Sequence, residues 1–298
     1  MQYTFNELIA MAEREAGSAD APTRPTIVKE LLHYCILDAL SRSHLQERVS
    51  FMGGTALRLV YNGDRYSEDL DFVCGSDARE PFDLAGMEKV LADSVGAMGL
   101  TMSVKSTTDG DEREFAEGNV AVKRWKFKIN VPGFAAAQVI NFEVCNVSSY
   151  DSSPMLISPR YSFLSDVYSD IALNVHSEGE IYADKVVALI GRSHVKNRDL
   201  WDLVWLRNRG HEVNWDWVER KAGEYRLADI PDRIERARER LQAADAHDKF
   251  VAEMVRFVKP GTARVLTNPD FSRRYLENAL RILNEAEPRL VQSPSMRP

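Results

Sequence analysis

Residues 51–72 read FMGGTALRLVYNGDRYSEDLDF, and they carry the strongest structural signal in the chain. The apolar run 49–52 predicts a short strand that ends in a turn at Gly53 and Gly54. Glycine accepts positive φ angles and lets a ligand come close to the backbone. Thr55 is predicted to cap a short helix, and the first amides of a helix bind phosphate readily. This order of elements predicts a turn that holds phosphate.

Two aspartates follow the turn at a spacing of two residues. Asp69 and Asp71 alternate with Leu70 and Phe72, which predicts a strand with both carboxylates on one face. Neighbouring carboxylates repel unless a cation neutralises them, and such oxygen-rich sites suit Mg²⁺ shared with substrate phosphates. The turn and the aspartates together predict metal-dependent phosphoryl or nucleotidyl transfer. The competing interpretation is a surface strand beside an unrelated glycine turn.

The same stretch resembles a known family. A strand, two small residues, a spacer and Asp-x-Asp form the signature of the polymerase-β-like nucleotidyltransferases. Within that superfamily, GGTAL followed by YSEDLDF resembles the AbiEii toxins of type IV toxin–antitoxin and phage-abortive systems, to which mycobacterial MenT toxins are related. The resemblance covers residues 45–75 and 180–206. It implies an α+β fold, with a nucleotidyltransferase mixed sheet, flanking helices and a C-terminal all-α lobe.

Hydrophobic periodicity fits this division. After Phe72, β-like stretches are predicted at residues 101–105, 121–131 and 138–147. Helical periodicity dominates later, over residues 180–191, 198–208, 215–226, 231–258 and 270–286. The Ser- and Pro-rich segment 148–160 is typical of a linker. We therefore predict a nucleotidyltransferase core domain at 1–158 and a helical domain at 159–298 that completes the active-site cleft.

The resemblance implies a metal site with three carboxylates. Asp69 and Asp71 would hold Mg²⁺, and two ions are expected. The superfamily adds an acidic residue on a later strand, and Glu143 is the candidate, although the family more often has Asp there. All three residues would be catalytic. The alternative for Glu143 is a carboxylate on an edge strand that faces water.

The resemblance also implies contacts to the NTP. Gly53, Gly54 and Thr55 would hold its phosphates. Ser67, which precedes the acidic pair Glu68-Asp69, is a further candidate for a phosphate or carboxylate contact.

The segment 180–206 resembles the second conserved region of the family. Lys185 would reach the triphosphate as a mobile point charge. Arg192 is a candidate phosphate contact, and Asp199 would act at the catalytic cleft. The alternative for Asp199 is a first-turn acid favoured by the helix dipole. For Asp202 the sequence does not decide between a role at the catalytic cleft and an ion pair with Arg198.

Two basic regions bear on nucleic-acid binding. The predicted strand 121–131 places Lys126 and Lys128 on one face, either to contact phosphates or RNA or as a solvated surface. Residues 192–209 hold five basic against two acidic residues. Trp201 and Trp205 share a helical face, which is typical of core packing rather than of base stacking.

Composition narrows the class of protein. The net charge of −7 excludes a uniformly basic nucleic-acid coat, and residues 64–93 alone hold nine acidic against three basic residues. Three cysteines that are far apart argue against a disulfide framework or a zinc cage. The sequence shows neither a signal peptide nor about 18 consecutive apolar residues, so we expect a cytoplasmic protein without a membrane partner.

The resemblance implies a bacterial toxin that moves an NMP from an NTP to an acceptor. We expect tRNA as acceptor because related toxins act on tRNA acceptor ends. A cognate antitoxin is expected, and direct contact with it is left open. The alternatives are an enzyme that attaches an NMP to protein, or an NTP-binding module with little catalysis. The sequence leaves open which NTP is used and how many nucleotides are added.

Overall fold

The computed structural model describes residues 3–17, 24–75, 82–84, 86–107 and 122–290. Contacts between Cα atoms divide the chain into two compact units. The first, here called the sheet unit, comprises the described residues within 1–109, 122–176 and 257–260. The second, the helical unit, comprises those within 177–256 and from 261 onward.

The strands of the sheet unit form one mixed sheet. They are β1 (Ser50–Met52), β2 (Leu70–Val73), β3 (Thr101–Thr107), β4 (Val122–Asn130), β5 (Gln138–Cys145), β6 (Ser152–Leu156) and β7 (Ala172–His176). Their order across the sheet is β3-β4-β5-β2-β1-β7-β6. The pairs β2–β5 and β1–β7 are parallel, and the other pairs are antiparallel. The expected α+β fold with a mixed sheet is confirmed.

Aromatic side chains build the core on one face of the central strands. Phe72 stacks between Phe51 and Phe142, with ring centroids 5.0 and 4.6 Å away. Because side chains alternate along a strand, burial of these rings turns the residues between them to the opposite face. The helices of this unit are α1 (Phe5–Ala16), α2 (Arg24–Arg42), α3 (Gly53–Leu59), α4 (Met87–Gly96) and α5 (Ser165–Tyr168).

The helical unit contains longer helices with apolar cores. They are α6 (Glu178–Gly191), α7 (Asn197–Asn208), α8 (Trp215–Glu224), α9 (Ile230–Gln242), α10 (Ala246–Met254), α11 (Pro260–Leu266) and α12 (Pro269–Leu290). Trp201 is buried and stacks on Tyr275 at 4.9 Å, which confirms the core interpretation for this tryptophan. Trp205 instead lies under the Arg209 guanidinium, 4.8 Å from the ring centroid. Among the described residues, no helix has both the length and the apolar composition needed to cross a membrane.

Two features of the fold differ from the sequence prediction. The helix predicted over 231–258 is broken at Ala243, whose ψ of 142° is extended. The break lets Phe250 of α10 stack on Tyr275 at 4.9 Å, so packing ends α9 where no glycine or proline marks an end.

Strands β6 and β7 are the second difference, since β6 lies in the predicted linker. Its proline, Pro154, is tolerated because β6 is an edge strand. The chain passes from the sheet unit to the helical unit after His176, and residues 257–260 return to the sheet unit. The division into domains 1–158 and 159–298 stays a prediction.

Candidate active site

The structure distributes the predicted site residues over both units. Those in the sheet unit are Gly53, Gly54, Thr55, Ser67, Asp69, Asp71 and Glu143. Those in the helical unit are Lys185, Arg192 and Asp199.

The acidic residues of the sheet unit lie on one face of neighbouring strands. Asp71 on β2 and Glu143 on β5 are direct partners in the parallel register. Asp69 precedes Asp71 by two residues, and its Oδ1 accepts a hydrogen bond from Asn141 Nδ2 at 2.9 Å. Asn141 in turn precedes Glu143 by two residues, so the same alternation places it on this face. Strand pairing therefore places Asp69, Asp71 and Glu143 on the same face of neighbouring strands.

Arg124 neutralises Glu143. It lies opposite Glu143 on β4, and its Nε donates to Glu143 Oε1 at 2.6 Å. In the described part of the chain, no three or more histidine, cysteine, aspartate or glutamate side chains are grouped so as to hold a metal ion. Carboxylate oxygens are nonetheless the ligands that Mg²⁺ prefers. The donor set therefore fits Mg²⁺ in its chemistry, and Arg124 is the cation with which a metal would compete for Glu143.

The glycine turn lies directly against Asp71. Gly53 has a φ of +77°, and a Cβ at this position would lie 2.8 Å from Asp71 Oδ2. A side chain here would be strained in the backbone and would collide with the carboxylate. Gly54 serves a different contact, because a Cβ there would collide with the guanidinium of Arg65. Arg65 is buried and donates from Nη1 to the Tyr66 carbonyl at 2.9 Å.

Thr55 does not cap the helix, in contrast to the sequence prediction. Helix α3 begins at Gly53 with Met52 as its N-cap, so Thr55 is already inside the helix. Its buried hydroxyl donates to the backbone carbonyl of Asp69. Thr55 therefore fixes the backbone of the aspartate strand against the glycine turn. Ser67 is also buried.

Helix α2 supports this loop. Lys29 Nζ donates to Glu68 Oε1 at 2.8 Å, and His33 Nε2 lies 3.1 Å from the Glu68 carbonyl oxygen. Burial lowers the pKa of His33, which favours the neutral ring. Glu30 accepts a bidentate pair from Arg58 of α3, at 2.6 and 3.1 Å. These contacts hold α3 and the residues before β2 in a fixed relation.

The helical unit contains a compact ionic network. Lys185 Nζ donates to Asp199 Oδ1 and lies 2.9 Å from Asp202 Oδ2. Arg192 Nη1 donates to the other oxygen of Asp199. Asp202 thus pairs with Lys185, whereas Arg198 Nε lies 3.7 Å from Glu253 Oε1.

Asp199 is ionised within this network. Burial alone would raise the pKa of its carboxyl, but Lys185 and Arg192 outweigh burial and hold that pKa well below its usual range. The Lys185 side chain is only 12% exposed. The two aspartates therefore hold its ammonium in one place, where a strongly anionic ligand is able to compete for it.

Sequence reasoning missed the partners of the predicted residues. Alternation along the strand predicts that Asn141 shares a face with Glu143, but it does not predict the hydrogen bond from Asn141 to Asp69. The ion pair of Arg124 with Glu143 could not be predicted, because the position of Arg124 opposite Glu143 depends on the β4–β5 register. Nothing in the local sequence around Asp202 indicated that it pairs with Lys185 rather than with Arg198.

Comparisons with known proteins identify the family of the chain. The sequence profile described as "Nucleotidyl transferase AbiEii toxin, Type IV TA system" matches residues 35–277. No curated protein matches the chain significantly.

Three solved structures are similar to the chain, and the first of them shares its fold. The MenT4 nucleotidyltransferase toxin of Mycobacterium tuberculosis H37Rv is 19% identical with a TM-score of 0.53, over 95% of this chain and 98% of that chain. JHP933 from Helicobacter pylori is 16% identical with a TM-score of 0.44, over 90% and 94% of the two chains. A putative nucleotidyltransferase from H. pylori is 17% identical with a TM-score of 0.46, over 89% and 95%.

Proposed function

Because this chain belongs to the AbiEii family of nucleotidyltransferase toxins of type IV toxin–antitoxin systems, we propose that it transfers an NMP from an NTP to tRNA with Mg²⁺. The observation that carries the proposal is the contact geometry around Asp71. This residue lies beside Glu143 in the strand register and against the positive-φ turn at Gly53. A close approach to backbone next to paired carboxylates is what a metal-bound triphosphate requires.

Asp69, Asp71 and Glu143 would hold Mg²⁺, two ions being expected. When bound, the metal supplies charge neutralisation for the triphosphate and the leaving pyrophosphate. Asn141 and Thr55 keep Asp69 in place through its side chain and its backbone carbonyl.

The remaining assignments concern the NTP. The backbone at Gly53 and Gly54, with Thr55 and Ser67, would contact its phosphates. Lys185 would neutralise triphosphate charge, and Asp199 would orient its ammonium while Arg192 holds the second oxygen of Asp199.

Membership of the family supports a proposal for the biological setting. A toxin of a toxin–antitoxin system implies a cognate antitoxin. We propose that this toxin acts in the bacterial cytoplasm, inhibits growth and serves in phage defence.

Labelled nucleotides test the reaction. The purified chain is incubated with each of the four α-³²P-labelled NTPs, Mg²⁺, total tRNA and lysate protein, with an EDTA control. Label on tRNA that disappears in EDTA is expected. Label on protein instead would show an enzyme that attaches an NMP to protein. Label on neither, from a chain that still arrests growth, would favour an NTP-binding module.

A further inference from the structure

Four basic side chains lie on the sheet face that carries Asp71 and Glu143. They are Arg124, Lys126 and Lys128 of β4 and Lys105 of β3, here called the basic stripe. The residues between the three on β4 are Trp125 and Phe127, which are buried in the core. Since Arg124 and Glu143 are cross-strand partners, the stripe shares the carboxylate face.

Two lysines of the stripe oppose each other. Lys105 and Lys126 are direct partners in the antiparallel register, and Lys105 is exposed. Like charges directly opposite one another destabilise a sheet. Among the described residues, the ion pairs of this face include Arg124 with Glu143 but none for the three lysines. An arrangement that costs stability in the free protein is expected where a polyanion binds.

The order of the strands places the basic stripe on one side of Asp71 and the turn at Gly53 on the other. The turn at Gly53 follows β1, which flanks β2 on one side, whereas β5, β4 and β3 follow one another on the other side. Asp71 on β2 therefore has the phosphate turn on one side and the basic stripe on the other. In nucleotidyl transfer the donor and the acceptor must reach the same metal site from different directions.

The dimensions favour a polynucleotide over an NTP. Two strand spacings separate Glu143 from Lys105, about 10 Å. Arg124 and Lys128 are four residues apart on one strand, about 13 Å. A ligand that reaches from the carboxylates across this area is longer than one triphosphate and carries a row of negative charges.

We propose that the basic stripe binds the phosphodiester backbone of the acceptor RNA and leads it to Asp71 and Glu143 from the side opposite Gly53. The inference rests on the proposed function and names the surface by which that site takes its acceptor. Lysine binds phosphate as a point charge without reading bases. The stripe therefore positions RNA without selecting its sequence.

Binding without catalysis tests the surface. The full chain is titrated against fluorescent tRNA in EDTA without NTP, and anisotropy is measured at several salt concentrations. The double variant Lys105→Ala plus Lys126→Ala is expected to raise the Kd about tenfold and to lower the salt slope by about 1.4, roughly 0.7 for each RNA phosphate that a lysine no longer neutralises. A matched control, Lys89→Ala plus Lys259→Ala, removes two exposed lysines of the same unit and should bind as the unmodified chain does. An unchanged Kd and slope in the stripe variant overturns the proposal.

Steady-state kinetics shows whether the basic stripe binds RNA or the NTP. The stripe variant is expected to raise KM for tRNA and to leave KM for NTP unchanged. Lys105→Arg plus Lys126→Arg keeps both charges and should have the KM for tRNA of the unmodified chain. A rise in KM for NTP with unchanged tRNA binding would assign the stripe to the triphosphate and overturn the proposal. If the stripe variant lost NMP transfer to protein but kept NMP transfer to tRNA, that result would overturn the proposal as well.

The two proposals fail separately. Stripe-dependent tRNA binding without any transfer would contradict the proposed function and support the RNA surface. Transfer to tRNA with stripe-independent binding would support the function and overturn the surface.

Discussion

Glu143 lies between two side chains of opposite charge. Asp71 is its partner on β2, and Arg124 is its partner on β4. The arginine donates to Glu143 at 2.6 Å, so it balances part of the charge that the carboxylates bring together. A metal bound by these carboxylates would therefore compete with the ion pair between Arg124 and Glu143.

Removal of Arg124 should strengthen metal binding. In Arg124→Ala, Glu143 loses the guanidinium that donates to it, which at this partly exposed position corresponds to about 1 kcal/mol, or about fivefold tighter Mn²⁺. Isothermal titration of the NTP-free chain with Mn²⁺ measures the change. Lys128→Ala, which removes a charge farther along β4, should change the affinity less. Weaker Mn²⁺ binding in Arg124→Ala would mean that the arginine builds the site rather than competing for it.

Asp199 should make stability depend on pH. Its pKa is depressed in the folded chain, so its contribution is complete above the unfolded pKa of about 3.9 and is lost as pH falls toward the folded pKa. Asp199→Asn leaves Lys185 and Arg192 without their shared carboxylate and is expected to cost about 3 kcal/mol at pH 7.

Urea unfolding at a series of pH values measures this effect. The gap between the unmodified chain and Asp199→Asn should be constant above about pH 5 and shrink below about pH 4. The exposed control Asp232→Asn should show little gap at any pH. A gap that is equally large at pH 6 and pH 3 would contradict the assigned ionisation.

At individual positions, the placement of a residue could be predicted where the signal was local. The spacing of Asp69 and Asp71 predicts that they share a face beside the glycine turn, and their role as metal ligands stays a prediction. The role of Thr55 was missed because its hydroxyl reaches Asp69, a contact that helix-cap rules do not describe. Arg124 required the pairing of two strands, which sequence alternation does not specify.

Helix α9 holds the connection between α6 and α7. Arg233 Nη1 donates to the Gly191 carbonyl at 2.9 Å, and Arg240 Nη1 donates to the Ser193 carbonyl at 2.8 Å. The two arginines are seven residues apart and so lie on one side of the helix. They fix the chain on either side of Arg192, whose guanidinium bonds Asp199.

Loss of one of these arginine hydrogen bonds should make the connection between α6 and α7 more mobile. Arg233→Ala removes a charged hydrogen bond worth about 1.5–3 kcal/mol, so amides of residues 191–196 should exchange hydrogen faster than in the unmodified chain. Arg236→Ala, an exposed arginine of the same helix, is the control. Unchanged exchange at 191–196 in Arg233→Ala would show that α9 does not hold the connection.

Among the elements, the long periodic segments were the most predictable. Helices α6 and α7 were expected within a few residues of where they lie. The break at Ala243 was not predicted because no glycine or proline marks it, and it accompanies the packing of Phe250 on Tyr275. Strand β6 was hidden by Ser and Pro in a segment typical of a linker, and only its pairing with β7 makes it a strand.

Across the whole chain, charge is distributed by region. The net charge of −7 coexists with a basic stripe on the sheet face and with an acidic excess over residues 64–93. The fold class could be predicted because the glycine turn and the aspartate strand resemble one family. The order of the seven strands could not, because it arises from pairings distant in sequence, such as β1 with β7. That order is what separates the turn at Gly53 from the basic stripe.

The most direct test compares NMP transfer by the unmodified chain and by Asp69→Asn plus Asp71→Asn. Both are supplied with labelled NTP, Mg²⁺ and total tRNA, and circular dichroism confirms that both are folded. The unmodified chain should label tRNA, and the variant should be slower by at least about a hundredfold because it cannot hold the charge-neutralising metal. Equal labelling of tRNA by the two proteins would contradict the assignment of these aspartates as the catalytic centre.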